Sequence, residues 1–265
     1  MIRTSYTKLK ELLSSLGLRS GDNVMIHSAL FSLGLIEGGI TGFYRAVRET
    51  IGPDGTLIVP TFTYSFRRAE VYDVVNTPSS KEIGVFSEFI RNQPDSVRCP
   101  DPLFSKAAIG PHAKELMERP SANCFGKNSN FDKLFEKDVL FVALGITYST
   151  GLTGFLHIEK LANVPYRDDF SFSGISRGLN GVEYDDRATH FLRNEKIYGD
   201  TITNRESMGE LLERKGVSTA LSYGYGRHMA LRADAWGDAV IAELRKKPYF
   251  MLDQNQYANG EIPFD

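Results

Sequence analysis

The chain has 265 residues, 42% of them apolar and 24% charged, with a formal net charge of -2 at pH 7. That length suffices for one large domain or two small ones with a sizeable core, and the composition is that of an ordinary soluble globular protein. The near-neutral charge gives no basic footprint for nucleic acid, and no stretch approaches the ~20 apolar residues of a membrane span.

The N-terminus, MIRTSYTKLK, lacks the apolar core of a secretory signal. Leu9, Leu12, Leu13 and Leu16 then recur at helical spacing from Thr7 to Leu16, and Gly17 closes that helix. Gly21 and Asp22 turn the chain into a short buried strand, Val24 to Ile26, which ends in His27–Ser28–Ala29–Leu30. After the break at Gly38–Gly39 a second helix carries Phe43, Val47 and Ile51 on one face, with Thr41 as its cap. A turn at Gly52–Gly55 leads to a strand from Thr56 to Phe62, in which Pro60 marks an end or a sheet edge. Residues 64–82 are polar and irregular and read as a surface excursion.

A short helix from Gly84 to Arg91 follows, then a proline-bearing loop from Arg98 to Ser105 and a strand from Lys106 to Ile109. Pro111 starts a helix through Met117, and Ser129 opens another through Phe135. Val139 to Leu144 is a buried strand leading into a Gly/Ser/Thr loop, Ile146 to Gly154, where backbone can approach a ligand closely. Thr153 caps the next helix, which puts His157 about one turn in, where the helix dipole favours the neutral imidazole of a general base. Asp168 to Asp186 reads as short strands and hairpins, Arg205 to Lys215 as a helix, and Met229 to Lys247 as one long helix. The tail after Asp253 is polar. Mixed helices and strands throughout predict an α/β or α+β fold in one domain, 1–265.

The strand end at His27–Ser28–Ala29–Leu30 exposes backbone N–H groups suited to phosphate, although no P-loop pattern is present. His157-x-Glu159 invites a zinc reading, but the Pro-Cys-x-x-Cys of the nucleobase deaminases and HExxH are both absent, so no metal is expected. Residues two apart on a helix point about 200° away from each other. Glu159 therefore meets His157 only through distorted geometry; otherwise Asp185 or Asp186 orients it. Cys124 has no evident partner for nucleophilic work, and with Cys99 it fits a reduced, cytoplasmic setting. The acidic group Asp168, Asp169, Glu183, Asp185 and Asp186 is either a cation site or solvated surface.

Five segments, in order and spacing, resemble the aminoglycoside 3-N-acetyltransferase family: GDNVMIHSALFSLG, GPDGTLIVPTFTYSF, RCPDPLFSKAAIGPHAKEL, FGKNSNFDKL and DVLFVALGITYSTGLTGFLHIEKLANVPYR. The resemblance spans Gly17 to Arg167, with a weaker echo from Met229. It implies an α/β/α-type sandwich with a mixed C-terminal portion, acetyl-CoA as cosubstrate, and a small-molecule amine as acceptor. It implies His157 as general base with Glu159 in the site, the segment His27, Ser28, Ala29 and Leu30 on the CoA pyrophosphate, and Phe104 and Ser105 along the CoA tunnel. Thr63, Tyr64, Thr153 and Asp185 are the expected acceptor contacts. A homodimer is left open. Two departures bear on the acceptor: Arg67, Arg68 and Lys81 stand where resistance enzymes line their site with acid, and DDFSFSG looks more like relatives that acylate amino sugars in surface-polysaccharide synthesis. The acceptor is thus an aminoglycoside or a nucleotide-linked amino sugar, and a non-catalytic or repurposed CoA-binding protein is the alternative.

Overall fold

The structure is a computed structural model that describes residues 2–194 and 205–252; the polar tail after Asp253 lies outside them. A seven-stranded sheet runs through the protein in the order β11-β12-β8-β2-β4-β7-β6. Its members are β2 (Asn23–Ser28), β4 (Thr56–Pro60), β6 (Val97–Arg98), β7 (Lys106–Ile109), β8 (Leu140–Leu144), β11 (Ser218–Tyr223) and β12 (Gly226–Arg232). Strand β2 is parallel to β4 and β8, whereas β7, β6, β12 and β11 join antiparallel.

Side chains alternate across the strands, so each face feeds a separate core. Val24, Ile26, Leu57, Val59, Val142 and Leu144 meet α1 (Tyr6–Ser15), α2 (Gly39–Ile51) and α3 (Val85–Arg91). Met25, Ile58, Phe141 and Ala143 meet α4 (Ala113–Leu116), α5 (Asn130–Glu136), α6 (Gly154–Ala162) and α8 (Ala233–Lys246), and α7 (Glu206–Arg214) joins the same core. The result is the expected α/β/α sandwich. Beside it lie a three-stranded sheet, β10-β9-β5, built from β5 (Tyr72–Asp73), β9 (Arg167–Arg177) and β10 (Glu183–Arg193), and a parallel pair of β1 (Arg3–Thr4) and β3 (Leu35–Ile36). Among the described residues no helix is long and apolar enough to cross a membrane.

Local chemistry explains most boundaries. Ser5 caps α1 by accepting the Lys8 N–H at 3.2 Å. Helix α2 starts earlier than Thr41 because Gly38 adopts a left-handed φ of 73° and turns the chain in. Pro60 ends β4, which is an interior strand between β2 and β7. Helix α4 begins after His112, two residues beyond Pro111.

Three segments differ from the sequence reading. Residues 64–82 hold β5 and bury Phe66 and Tyr72 to 1% exposure, so the segment is anchored in the core despite its polar composition. Asp168 to Asp186 belongs to one long hairpin of two 11-residue strands. The helix expected from Met229 divides at Arg232: Met229 and Leu231 lie in β12, paired with Ala143 and Phe141 of β8, and only Ala233 onward is helical. Apolar residues two apart satisfied the strand period there, while Trp236, Val240 and Leu244 carried the helical one.

Candidate active site

Parallel strands β2, β4 and β8 end on one side of the sheet, the position where open α/β sheets take ligands. A cleft of about 200 Å³ lies there. His27 and Ser28 come from the end of β2; Pro60, Phe62 and Tyr64 from the end of β4 and its continuation; Glu82 and Ile83 from the segment before α3; and Ile146, Thr150, Gly151 and Thr153 from the loop after β8. Gly145 makes the junction possible. Its φ is 68°, and a Cβ there would fall 2.0 Å from Ser32 Oγ. The turn after His27 therefore presses directly on the end of β8, and the Ala29 N–H donates to Leu144 O at 2.8 Å. Ala29 is thus committed to the fold, contrary to its expected role on phosphate. The following turn, Leu30–Leu33, leaves the N–H groups of Leu30 and Phe31 without a protein acceptor among the described residues.

His27 is 5% exposed, and neither of its ring nitrogens has a hydrogen-bond partner among the described residues. Burial, with Lys106 adding like charge, lowers its pKa to about 3, so the ring is neutral. Tyr64 forms the facing wall; its N–H donates to Ser80 Oγ at 3.0 Å, and burial raises the phenol to about 12. Behind it, Phe104 packs edge-on against Phe62 and Tyr64 at centroid distances of 5.1 and 6.1 Å. Glu82 is exposed at the mouth. The Arg67 guanidinium stands 5.0 Å from the Tyr64 ring centroid and 5.7 Å from that of Phe172, and donates to His190 Nδ1 at 3.0 Å. Among the described residues Arg67 makes no ion pair.

His157 is placed differently. It is fully buried, its Nδ1 accepts the Gly126 N–H at 3.1 Å, and the Phe135 ring sits 4.6 Å away. Its Nε2, unpaired, faces Asp132 Oδ1 at 3.8 Å, beyond hydrogen-bond range. Burial lowers its pKa to about 4 against the raising effect of Asp132. Thr153, at the N-cap of α6, lines the cleft, whereas His157 is absent from its lining and packs against Phe131 and Phe135. Neither nitrogen of His157 lines the cleft that Thr153 borders, and its Nε2 is left without a hydrogen-bond partner among the described residues. The carboxylate beside it is Asp132, not Asp185 or Asp186.

Glu159 points elsewhere, as helical spacing dictates. Tyr166 OH donates to its Oε1 at 2.7 Å, and Oε2 meets Arg205 Nη2 at 2.7 Å and Arg167 Nε at 3.2 Å. It is buried among these partners; desolvation opposes its charge, but the two arginines and Tyr166 outweigh it and hold the carboxyl below the usual range. This ion cluster ties α6 to β9 and to the start of α7.

Other expected contacts also serve the fold. Thr63 Oγ1 donates to Pro102 O at 2.7 Å, and Ser105 Oγ is shared between Thr61 and Arg98. Phe104 supports the cleft wall without lining it. Asp185 is exposed on β10, and Asp186 pairs with Arg119 at 2.8 Å. Thr153 occupies the N-cap position of α6 but its side chain caps nothing. Cys124 is buried and its thiol is pushed well above the usual range, first by burial. Phe62, Glu82 and Ile83 were not singled out from the sequence as site residues; Pro60 was read only as a strand end or sheet edge, and Ile146 and Thr150 only as part of the loop that a ligand can approach. The signal that would have found Pro60 and Phe62 is position: they end a strand parallel to β2. Glu82 was hidden in the stretch read as a surface excursion.

A family model described as aminoglycoside 3-N-acetyltransferase matches residues 25–245. The chain is 31% identical over 156 residues to aminoglycoside N(3)-acetyltransferase IV of Salmonella sp, covering 58% of each chain. It is 31% identical over 171 residues to aminoglycoside N(3)-acetyltransferase VIII of Streptomyces fradiae, covering 58% of this chain and 59% of that one. The matched part thus spans less than two thirds of these relatives' length. Among solved structures, AAC-IIIb in its binary complex with CoASH superposes with a TM-score of 0.80 at 22% identity, over 93% of this chain and 98% of that one. YokD from Bacillus subtilis gives 0.79 at 18%, over 94% and 96%. At such identities the likeness speaks for the fold.

Proposed function

The chain belongs to the aminoglycoside 3-N-acetyltransferase family, and we propose that it is an N-acyltransferase that moves an acyl group from acyl-CoA to an amine of an amino sugar. The observation that carries this reading is the cleft itself. Its lining runs from His27 and Ser28 to Tyr64 and Glu82, and the turn that follows Ser28 leaves the N–H groups of Leu30 and Phe31 without a protein acceptor among the described residues. Backbone amides suit phosphate oxygens, and a carboxylate at the mouth suits an ammonium group. A structural relative was solved with CoASH, which supports acetyl-CoA as the cosubstrate here.

The chemistry asked of these residues is modest. Ser28, Leu30 and Phe31 hold the pyrophosphate end, the loop from Ile146 to Gly154 covers the acyl end, and Tyr64 and Glu82 receive the amine. Proximity of amine and thioester supplies much of the acceleration, and the oxyanion that forms needs a donor.

The acceptor we favour is an amino sugar of low positive charge, such as a nucleotide-linked one. Among the described residues Arg67 meets no carboxylate beside Tyr64, whereas Arg68 on the same segment pairs with Glu70 at 2.8 Å; the charge of Arg67 disfavours a polycation. A second reading, CoA binding without turnover, is favoured by one observation: the burial of His157 away from the cleft. Release of CoA from acetyl-CoA, followed across aminoglycosides and nucleotide-linked amino sugars, separates the two. Turnover of an amino sugar supports acyl transfer; tight CoA binding with no turnover on the whole panel supports the second reading.

A further inference from the structure

His27 presents polarity to the cleft that nothing among the described residues uses. Its side chain is more than nine-tenths buried, both ring nitrogens lack a partner among the described residues, and the ring lines the cleft next to Ser28. A buried polar group left without a partner is unfavourable, so a ring held this way is suited to a ligand that completes it.

Position fixes which part of the ligand. In the register of the sheet His27 is opposite Ala143 of β8, on the face that carries Met25 and Ile58. It lies three residues before the Leu30 N–H, so a cosubstrate whose phosphates rest on that turn passes Ser28 and His27 on entering the cleft. The charged and titratable groups around the ring are few. Lys106 lies on β7, fully buried, its Nζ donating to Phe104 O at 2.9 Å and standing 4.0 Å from the Phe131 ring centroid. Tyr64 and Glu82 belong to the opposite wall. With burial, and after it the like charge of Lys106, disfavouring its cationic form, the ring stays neutral and offers one N–H and one lone pair. A neutral imidazole of this kind is a competent donor to a carbonyl oxygen.

We propose that His27 is a catalytic residue whose imidazole N–H donates to the carbonyl oxygen of the bound acyl thioester and to the oxyanion formed from it. This rests on the acyl-transfer reading. The amine lone pair forms the new N–C bond while the carbonyl π pair moves onto the oxygen held by His27. That pair returns as the C–S bond breaks and the sulfur leaves with the bonding electrons. The extra proton on nitrogen passes to the departing thiolate, giving amide and CoASH. His27 keeps its own proton throughout, so it adds no ionisation to the pH profile.

Two variants test this. Loss of one oxyanion donor costs ~10²–10³ in kcat. His27→Leu should therefore lose ~10²-fold or more in kcat for CoA release, with CoA affinity within about threefold, while His27→Gln, which retains an N–H donor, should recover about tenfold over His27→Leu. A second measurement needs no acceptor: the infrared band of acetyl-CoA carrying a ¹³C-labelled acetyl carbonyl. The band should move to lower frequency on binding the parent, move less with His27→Gln, and return toward its free position with His27→Leu. Parental kcat in His27→Leu, or a band at the same frequency in the parent and His27→Leu, overturns the proposal. If His27→Leu does not fold, a band at the free position in the parent overturns it. A parent that shows the His27-dependent band yet turns over no amine sinks the acyl-transfer reading instead.

Discussion

Two histidines lie on the same side of the central sheet in opposite surroundings. His157, inside the α5–α6 core, accepts a backbone N–H from Gly126 and is walled by Phe135. His27, at the end of β2, has no partner and lines the cleft. Burial keeps both neutral, with pKa values of about 4 and about 3. A depressed pKa is thus common to both imidazoles; what differs is partner and access. His157 spends one nitrogen on the fold and is sealed; His27 spends neither and is open to a ligand.

The sharpest way to break this contrast is at Glu159, which the family resemblance put in the site with His157 and the structure places between two arginines. Glu159→Ala leaves Arg167 and Arg205 without their buried counter-ion and should cost ~3–5 kcal/mol of unfolding free energy in urea. A stable Glu159→Ala protein that has lost only turnover would return Glu159 to the active site.

The pH dependence of stability sharpens it next. An unfolded histidine titrates near ~6.5, whereas His157 in the fold titrates at about 4. Below the unfolded value the unfolded chain binds the extra proton. The stability of the neutral buried ring is therefore full above pH ~6.5 and lost as pH falls toward 4, on the order of 3 kcal/mol by then. His157→Gln, whose carbonyl accepts the Gly126 N–H, should flatten that decline in denaturation series between pH 7 and pH 4. An unchanged slope would place the titrating groups elsewhere.

At the acceptor end the expected effects are smaller. Parental kcat/KM on clinical aminoglycosides should lie below ~10⁴ M⁻¹s⁻¹, and Arg67→Glu should raise it about tenfold, as replacing repulsion by attraction near a cationic substrate is worth ~1 kcal/mol or more. No gain in Arg67→Glu would remove Arg67 from acceptor selection. Smallest of all is the effect of a chelator: amine addition to a thioester asks only for a donor and a proton path, so turnover should survive it. Loss of activity restored by zinc would contradict that.

The sandwich was legible because its strands are apolar runs with turn residues at both ends: Val24–Met25–Ile26 and Leu140 to Leu144 could be little else. The division at Arg232 was not, because the apolar pattern of β12 passes without a breaker into that of α8. At the site, His27, Ser28, Tyr64 and Thr153 were readable as strand-end or loop positions. The partners of Glu159 were not, since Arg205 is 46 residues away in the chain and meets it only through the fold. Likewise Asp132, the carboxylate nearest His157 Nε2, reaches it from α5, and no local spacing announces that contact.

The most direct measurement sets the two histidines against each other: kcat for CoA release by folded His27→Leu and His157→Gln proteins, on an amino sugar that the parent turns over. The account predicts a loss of ~10²-fold or more for His27→Leu and a value within about threefold of the parent for His157→Gln, which alters no group on the cleft. The reverse pattern, with His157→Gln inactive and His27→Leu unimpaired, would contradict it.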